Sequence, residues 1–342
     1  MKPRVLKIDP WHIAPVLLKQ AAEIIHNRGL VAFPTETVYG LGANALEPRA
    51  VTGIFEAKKR PLDDPLIVHI AEFKDLYALV EEVPPETDRL VSRFWPGPLT
   101  VVLKKTEIVP DIVTTGLDTV AVRMPSNAIA REFIKTAGVP IAAPSANMFG
   151  RPSPTSAQHV VDDLDGRIDM VLDGGTTEIG IESTVLEFIQ GRTVVLRPGG
   201  IGVEEISGIV GSVDVSPEPG HVSGRSPGEY PTHYSPEAGV VLVKDDARQV
   251  EKTLSAVSGL VSRGLKTGVM AKQEHAGNYR EFNVKVLGPE DDPRTCASRL
   301  FHILREFDTE KMDKIVAESI AEKGLGLAVM NRLRKAAGPS SE

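Results

Sequence analysis

Residues 211–237, GSVDVSPEPGHVSGRSPGEYPTHYSPE, contain four Gly and five Pro in 27 positions. No helix runs through such a stretch, and each proline removes an N–H that a sheet would need. It reads as a linker without regular structure, stiffened by its prolines. The 342 residues are thereby divided into a front part, 1–210, and a rear part, 238–342, each of a size that folds as a domain.

The front part alternates between two periodicities. Residues 14–28 place Val16, Leu17, Ala21, Ile24 and Ile25 at near-helical spacing until Gly29 ends the pattern, and 30–34 then reads as a short buried strand. Residues 48–58 predict a second helix, with Pro48 in its first turn and Val51, Ile54 and Phe55 on the inner face. Strands are expected at 66–70, 99–104, 119–125, 140–145, 170–175, 183–188 and 194–199. So many strands, with helices between only some of them, predict a twisted mixed α/β sheet. In the rear part a strand at 240–246 and a helix at 247–265 lead into strands at 267–272 and 282–288. A helix at 293–310, a strand at 314–319 and a helix at 324–337 complete a smaller α/β domain of Rossmann-like type.

Charge and composition narrow the function classes. The front 210 residues hold 21 Lys+Arg against 27 Asp+Glu, which argues against gripping nucleic acid with the whole surface. Cys296 is the one cysteine, so no intrachain disulfide and no cysteine-based zinc site can form. The eight histidines make no HExxH pair, no metal-ligating set is expected, and no apolar run reaches the roughly 18 residues of a membrane span. A cytosolic, reducing location is the expectation.

Against this acidic background EAKKRPLDDPLIVHI (56–70) stands out. Arg60 precedes Pro61, which biases it away from helix, so the helix must end near Lys58. Two readings are open: Lys58 and Lys59 complement the negative end of the helix dipole, or Lys58 and Arg60 project to neutralise a polyphosphate, with Asp64 holding the next turn or binding a metal. His69, in an apolar strand, suits a hydrogen-bonded core residue as well as a ligand contact. FPTETVYGLGANA (33–45) clusters Thr35, Glu36 and Thr37 at a strand end, either as a ligand site or as a threonine-capped tight turn, and it is not a P-loop. PIAAPSANMFGRPSPT (140–155) ends a strand in Ser145 and Asn147; GIESTVLEF (180–188) opens one with Glu182, Ser183 and Thr184, and Arg197 and Arg123 add cations. Four strand ends offering hydroxyls and cations suit an acceptor-rich anion. With no Ser-His-Asp or Cys-His set, such a site would align reactants rather than form a covalent intermediate.

PTETVYGLGANA, KKRPLDDPLIVHI with Lys58 and Arg60, PSAN with Ser145 and Asn147, and ESTV followed by LRPG strongly resemble the YrdC family of L-threonylcarbamoyladenylate synthases over about residues 5–210. The linker and rear domain resemble the long, two-domain form. SPGEYPTHYSP stands where the long forms carry a segment like SPGMKYRHYAP; Ser226, Pro227, Gly228, His233, Tyr234 and Pro236 fit, whereas Glu229, Tyr230, Pro231 and Thr232 depart. The resemblance implies that L-threonine, bicarbonate or CO2 and ATP, with Mg²⁺, give threonylcarbamoyl-AMP and pyrophosphate. A partner transferase would then modify the adenosine beside the anticodon of ANN-decoding tRNAs, so that tRNA is touched indirectly or weakly. It further implies that Lys58 and Arg60 are catalytic, and that Thr37, His69, Arg123, Ala143 and Ser183 hold threonine. The ATP contacts would be Arg60, Asp64, Thr119, Ser145, Asn147, Ser153, Arg197 and Tyr234. At Ala143 a frequent family threonine is replaced, leaving only backbone contact.

Two roles for 211–237 stay open, a lid that excludes water from a labile carbamate or a spacer. Two rival functions stand beside the synthase. A non-catalytic RNA-binding or regulatory module is opposed by the charge of the front part, and a carbamoyltransferase of the hydrogenase-maturation type by the single cysteine. GLGLAV (324–329) reads as helix entry and assigns the rear domain no ligand.

Overall fold

The alternation of the front part is realised as one 11-stranded sheet in a computed structural model that describes residues 2–216, 230 and 233–338. Its strands are β1 (Arg4–Lys7), β2 (Val31–Phe33), β3 (Gly40–Asn44), β4 (Ile67–His69), β5 (Leu99–Lys104) and β6 (Thr119–Arg123). They continue with β7 (Ile141–Ala142), β8 (Met170–Asp173), β9 (Thr184–Ile189), β10 (Arg192–Arg197) and β11 (Val213–Val215). The spatial order is β1-β8-β2-β3-β7-β4-β6-β5-β9-β10-β11. Parallel pairs such as β4–β6 and β5–β9 alternate with antiparallel ones such as β5–β6 and β4–β7, so the sheet is mixed as expected.

Helices α1 (Pro15–His26), α2 (Pro48–Lys58), α3 (Leu76–Leu79), α4 (Pro85–Phe94), α5 (Asp111–Thr114), α6 (Ala128–Ala137), α7 (Ala157–Leu164) and α8 (Val203–Val210) surround it. The period-2 pattern sorts the strands between two cores. Val31 and Phe33 join Leu18, Ile25, Ile129 and Phe133 from α1 and α6, while Ala32 joins Val51, Ile54 and Phe55 of α2 on the opposite face. A third, smaller apolar group of Ile67, Val102, Ala121 and Val185 occupies neighbouring strands β4, β5, β6 and β9.

Two segments depart from expectation. Residues 40–44, open to reading as a tight turn, form β3, because Gly40 and Gly42 leave room for Phe33 and Ile141 where side chains would collide. Within the stretch expected to lack regular structure, Val213–Val215 pairs in parallel with β10. A strand of three mostly exposed residues carries no periodic signal.

The described residues fall into two compact units, with 150–152 grouped with the rear residues. The rear unit runs β12 (Gly239–Val243), α9 (Gln249–Ser262), β13 (Thr267–Lys272), β14 (Asn283–Gly288), α10 (Pro293–Thr309), β15 (Lys314–Glu318) and α11 (Leu325–Ala337). Its four strands lie in the order β12-β15-β13-β14, all parallel. Val257 of α9 packs with Val269, Ala271 and Val316 on one face. On the other face α10 comes so close that a Cβ on Gly268 would lie 2.3 Å from Phe307. Among the described residues no helix is long and apolar enough to cross a membrane.

Candidate active site

The site is written into one row of the sheet. His69 of β4 stands beside Arg123 of β6, and Arg123 stands opposite Thr100 of β5. Register therefore places an imidazole, a guanidinium and a hydroxyl side by side on one face. Two residues along each strand, the next row is apolar: Ile67, Ala121 and Val102. Thr119 opens β6 at the far end of this floor and is partly exposed.

The polar row is almost wholly withdrawn from solvent. Arg123 is 3% exposed and is gripped by Glu36, Nη2 to Oε1 at 2.7 Å, while its Nε donates to Gly97 O at 3.4 Å. His69, also buried, packs edge-on against Phe33 with ring centroids 6.0 Å apart. Burial, reinforced by the neighbouring Arg123 charge, pulls the His69 pKa down to about 3, so the ring is neutral at physiological pH.

PTET forms the wall above this row. Thr35 Oγ1 meets Thr37 Oγ1 at 2.7 Å and donates to Val38 O at 2.6 Å. The Glu36 and Thr37 carbonyls accept the Ile179 and Gly180 N–H groups, which fastens the loop before Ser183 to the same wall. Ser183 Oγ lies 2.7 Å from Thr100 Oγ1 and accepts from Arg197 Nη2 at 3.2 Å. Gly199 makes this closeness possible, since a Cβ there would lie 2.3 Å from the Ser183 carbonyl carbon. Ser153 donates to Glu182 Oε1 in a short buried contact.

Lys58 and Arg60 come from the end of α2. The helix stops where expected, with Lys59 in the left-handed region at φ 53°. Lys59 is exposed, but Lys58 is buried and its Nζ donates to the Ser145 and Asn147 carbonyls, each at 2.5 Å. Lys58 thus fastens the PSAN loop, a task beyond complementing a helix dipole. Arg60 is paired with Asp64 at 2.9 Å, both side chains under 5% exposed, and donates to the Asp64 and Pro65 carbonyls. Asp64 therefore holds the turn. Among the described residues no group of three or more His, Cys, Asp or Glu could hold a metal ion.

Thr37, His69, Arg123 and Ser183 are thus linked through one set of walls and rows, and Lys58 joins Ser145 and Asn147. Ala143 donates its N–H to Ile67 O within the sheet, leaving its carbonyl as the backbone group that could face a ligand. Tyr234 belongs to the rear unit, where its ring is buried against Phe301 with centroids 5.4 Å apart and lies under the Arg332 guanidinium. Of the segment resembling SPGMKYRHYAP, residues 226–229, 231 and 232 lie outside the described residues. Sequence reading did not single out Thr100, whose meaning exists only in the register, and saw Glu36 merely as one member of PTET.

Residues 23–199 match the Sua5/YciO/YrdC family model, described as telomere recombination, and 201–338 match the model described as threonylcarbamoyl-AMP synthase, C-terminal domain. The chain is 48% identical over 339 residues to the threonylcarbamoyl-AMP synthase of Pyrococcus abyssi, covering 97% of this chain and 96% of that one. It is 45% identical over 324 residues to the Bacillus subtilis enzyme of the same name, covering 94% and 93%. The crystal structure of P. abyssi Sua5 complexed with L-threonine superposes with a TM-score of 0.90 at 45% identity, covering 97% of each chain. With both domains matched in order and nearly full length shared, the chain belongs to the Sua5/YciO/YrdC family, among its two-domain threonylcarbamoyl-AMP synthases.

Proposed function

We propose that the enzyme makes threonylcarbamoyl-AMP and pyrophosphate from L-threonine, bicarbonate or CO2 and ATP, in the front unit. The observation that carries this reading is the course of β6, which runs from Arg123 in the polar row to Thr119 beyond the apolar floor. Four residues of strand span roughly 13 Å, a length suited to an amino-acid carbamate joined to a nucleoside phosphate. The L-threonine complex of the P. abyssi relative supports an amino-acid end of this kind.

Arg123 receives the threonine carboxylate, since a guanidinium offers paired donors that an ammonium cannot. The neutral His69 adds no second cation beside it. Thr37 and Ser183 present hydroxyls to the threonine, and Ala143, beside Ile67, offers its carbonyl. Thr119, Ser145, Asn147, Ser153 and Arg197 serve the nucleotide, while Asp64 fixes Arg60. The threonine amine, unprotonated, captures CO2. The carbamate oxygen then attacks the α-phosphorus and pyrophosphate leaves with the bridging oxygen. Lys58 and Arg60 offset the charge that builds on the phosphates, and positioning supplies much of the rate. Mg²⁺, when bound, neutralises phosphate charge; the donor set fits a metal carried by nucleotide oxygens and water rather than by a protein cage.

The product is an activated carbamoyl donor for a partner transferase that modifies tRNA. The front part, net acidic, suits indirect or weak tRNA contact in a cytosolic setting. The test is pyrophosphate release from ATP with Mg²⁺ and bicarbonate, with L-threonine present, absent or replaced by L-serine. Threonine-dependent release, with the threonylcarbamoyl-AMP mass in the quenched mixture, is expected. ATP binding without threonine-dependent release would overturn the reading.

A further inference from the structure

We infer that Glu36 is the positioning residue for Arg123, and that it makes the site selective for an amino acid with a free carboxylate. The inference rests on Arg123 receiving that carboxylate. Glu36 and Arg123 lie 87 positions apart in sequence and bury opposite charges together, at 5% and 3% exposure.

Both carboxylate oxygens of Glu36 are committed. Oε1 accepts from Arg123 Nη2 at 2.7 Å, and Oε2 accepts from the Ser126 N–H at 3.1 Å. The Glu36 backbone is fixed as well, its carbonyl accepting from Ile179 N at 2.8 Å. Glu36 is therefore clamped at three points, and its carboxylate cannot rotate without breaking one of them. Gly97 O holds the Nε edge of Arg123. With Nη2 and Nε taken from fixed directions, the guanidinium plane is set and Nη1 makes no hydrogen bond to the described residues. The free edge of a planar guanidinium is the part that recognises a carboxylate.

A second consequence is electrostatic. A guanidinium buried without a counter-charge would be costly, and it would attract any anion, the nucleotide phosphates included. Pairing with Glu36 offsets the net charge while leaving donors available. Arg123 then favours a ligand whose oxygens match the exposed N–H geometry over one that merely supplies negative charge.

The test compares L-threonine with L-threonine amide, which lacks the carboxylate, by calorimetric Kd on the full-length chain of wild type, Glu36→Gln, Glu36→Asp and Arg123→Lys. Glu36→Gln keeps the shape but sets an NH2 against the Ser126 N–H or against Arg123. Glu36→Asp keeps the charge but is one methylene short. Both are expected to lower the preference for threonine over its amide by about tenfold or more, the scale of one charge-assisted contact, while the Kd for ATP changes less than threefold. Preference retained in both Glu36 variants but lost in Arg123→Lys would overturn the positioning role alone. Preference retained in Arg123→Lys would overturn the assignment of the carboxylate to Arg123 on which the inference rests. Equal weakening of threonine, amide and ATP in the Glu36 variants would make Glu36 a structural residue and overturn the inference.

Discussion

Thr100 and Arg123 face each other across the β5–β6 ladder, and Thr100 Oγ1 reaches past that pair to Ser183 Oγ at 2.7 Å. Ser183 in turn accepts from Arg197. Ser183 is thereby tied to β5 through one buried hydroxyl pair and to β10 through a guanidinium.

Thr100→Val keeps the shape of the side chain and removes its hydrogen bond to Ser183. Ser183 Oγ then loses its hydroxyl partner and keeps only the Arg197 guanidinium, in a place water does not reach, at a cost of about 1–2 kcal/mol. The expected outcome is a KM for threonine raised roughly 5- to 30-fold, with a smaller change for ATP, read from steady-state pyrophosphate release. An unchanged threonine KM would separate Ser183 from substrate binding.

His69 gives a prediction with a definite sign. Its pKa is pulled from near 6.5 to about 3 in the folded protein, by burial first and the Arg123 charge second. Below the unfolded value the unfolded chain binds the proton and the folded one does not. Stability from this group is therefore fully present above roughly pH 6.5 and is lost progressively as the pH falls toward about 3. Urea midpoints taken between pH 7 and pH 4 should fall more steeply for wild type than for His69→Asn, by about one proton taken up on unfolding. Parallel curves would mean that His69 titrates normally.

Most strands and the rear unit were legible because their side chains alternate or repeat; the expected 267–272 strand is β13, and the expected 48–58 helix is α2. β3 was not, because its packing depends on the missing side chains of Gly40 and Gly42. α3 and α5 have only four residues each, too few for a helical period to register. α6 did carry legible signals, Asn127 as its cap and Gly138 in left-handed conformation past its end, though its residues were not read as a helix. The site divides along the same line. Motifs that gather hydroxyls and cations within a few residues can be seen in sequence, whereas Glu36–Arg123 and Thr100–Ser183, 87 and 83 residues apart, exist only once the sheet has formed.

Arg60 and Asp64 form an ion pair with both side chains under 5% exposed. Asp64→Ala removes the carboxylate paired with a buried guanidinium, and a loss of about 3–5 kcal/mol is expected from chemical denaturation. Replacing both partners, Arg60→Met with Asp64→Leu, should cost less than Asp64→Ala despite removing more native contacts. A larger loss in the double variant would show that the turn depends on the shape of these side chains and not on their charge balance.

In the rear unit Glu318 ends β15 with a fully buried carboxylate that accepts from Tyr279 OH at 2.6 Å, His275 Nδ1 at 2.9 Å and Lys272 N at 2.7 Å. Burial and the bond to Glu318 push the Tyr279 pKa well above its ordinary value, so the phenol stays a donor. Tyr279→Phe removes one of three donors to a buried charge, and a loss of about 1.5–3 kcal/mol is expected. Hydrogen exchange of the β13 and β15 amides should accelerate accordingly. The phenol also fixes a pH limit. An unfolded tyrosine ionises near pH 10 while the folded one does not, so its contribution is complete below that pH and declines above it. Tyr279→Phe should therefore flatten the alkaline fall in stability of the rear unit, and a fall unchanged by the substitution would place its origin in other groups.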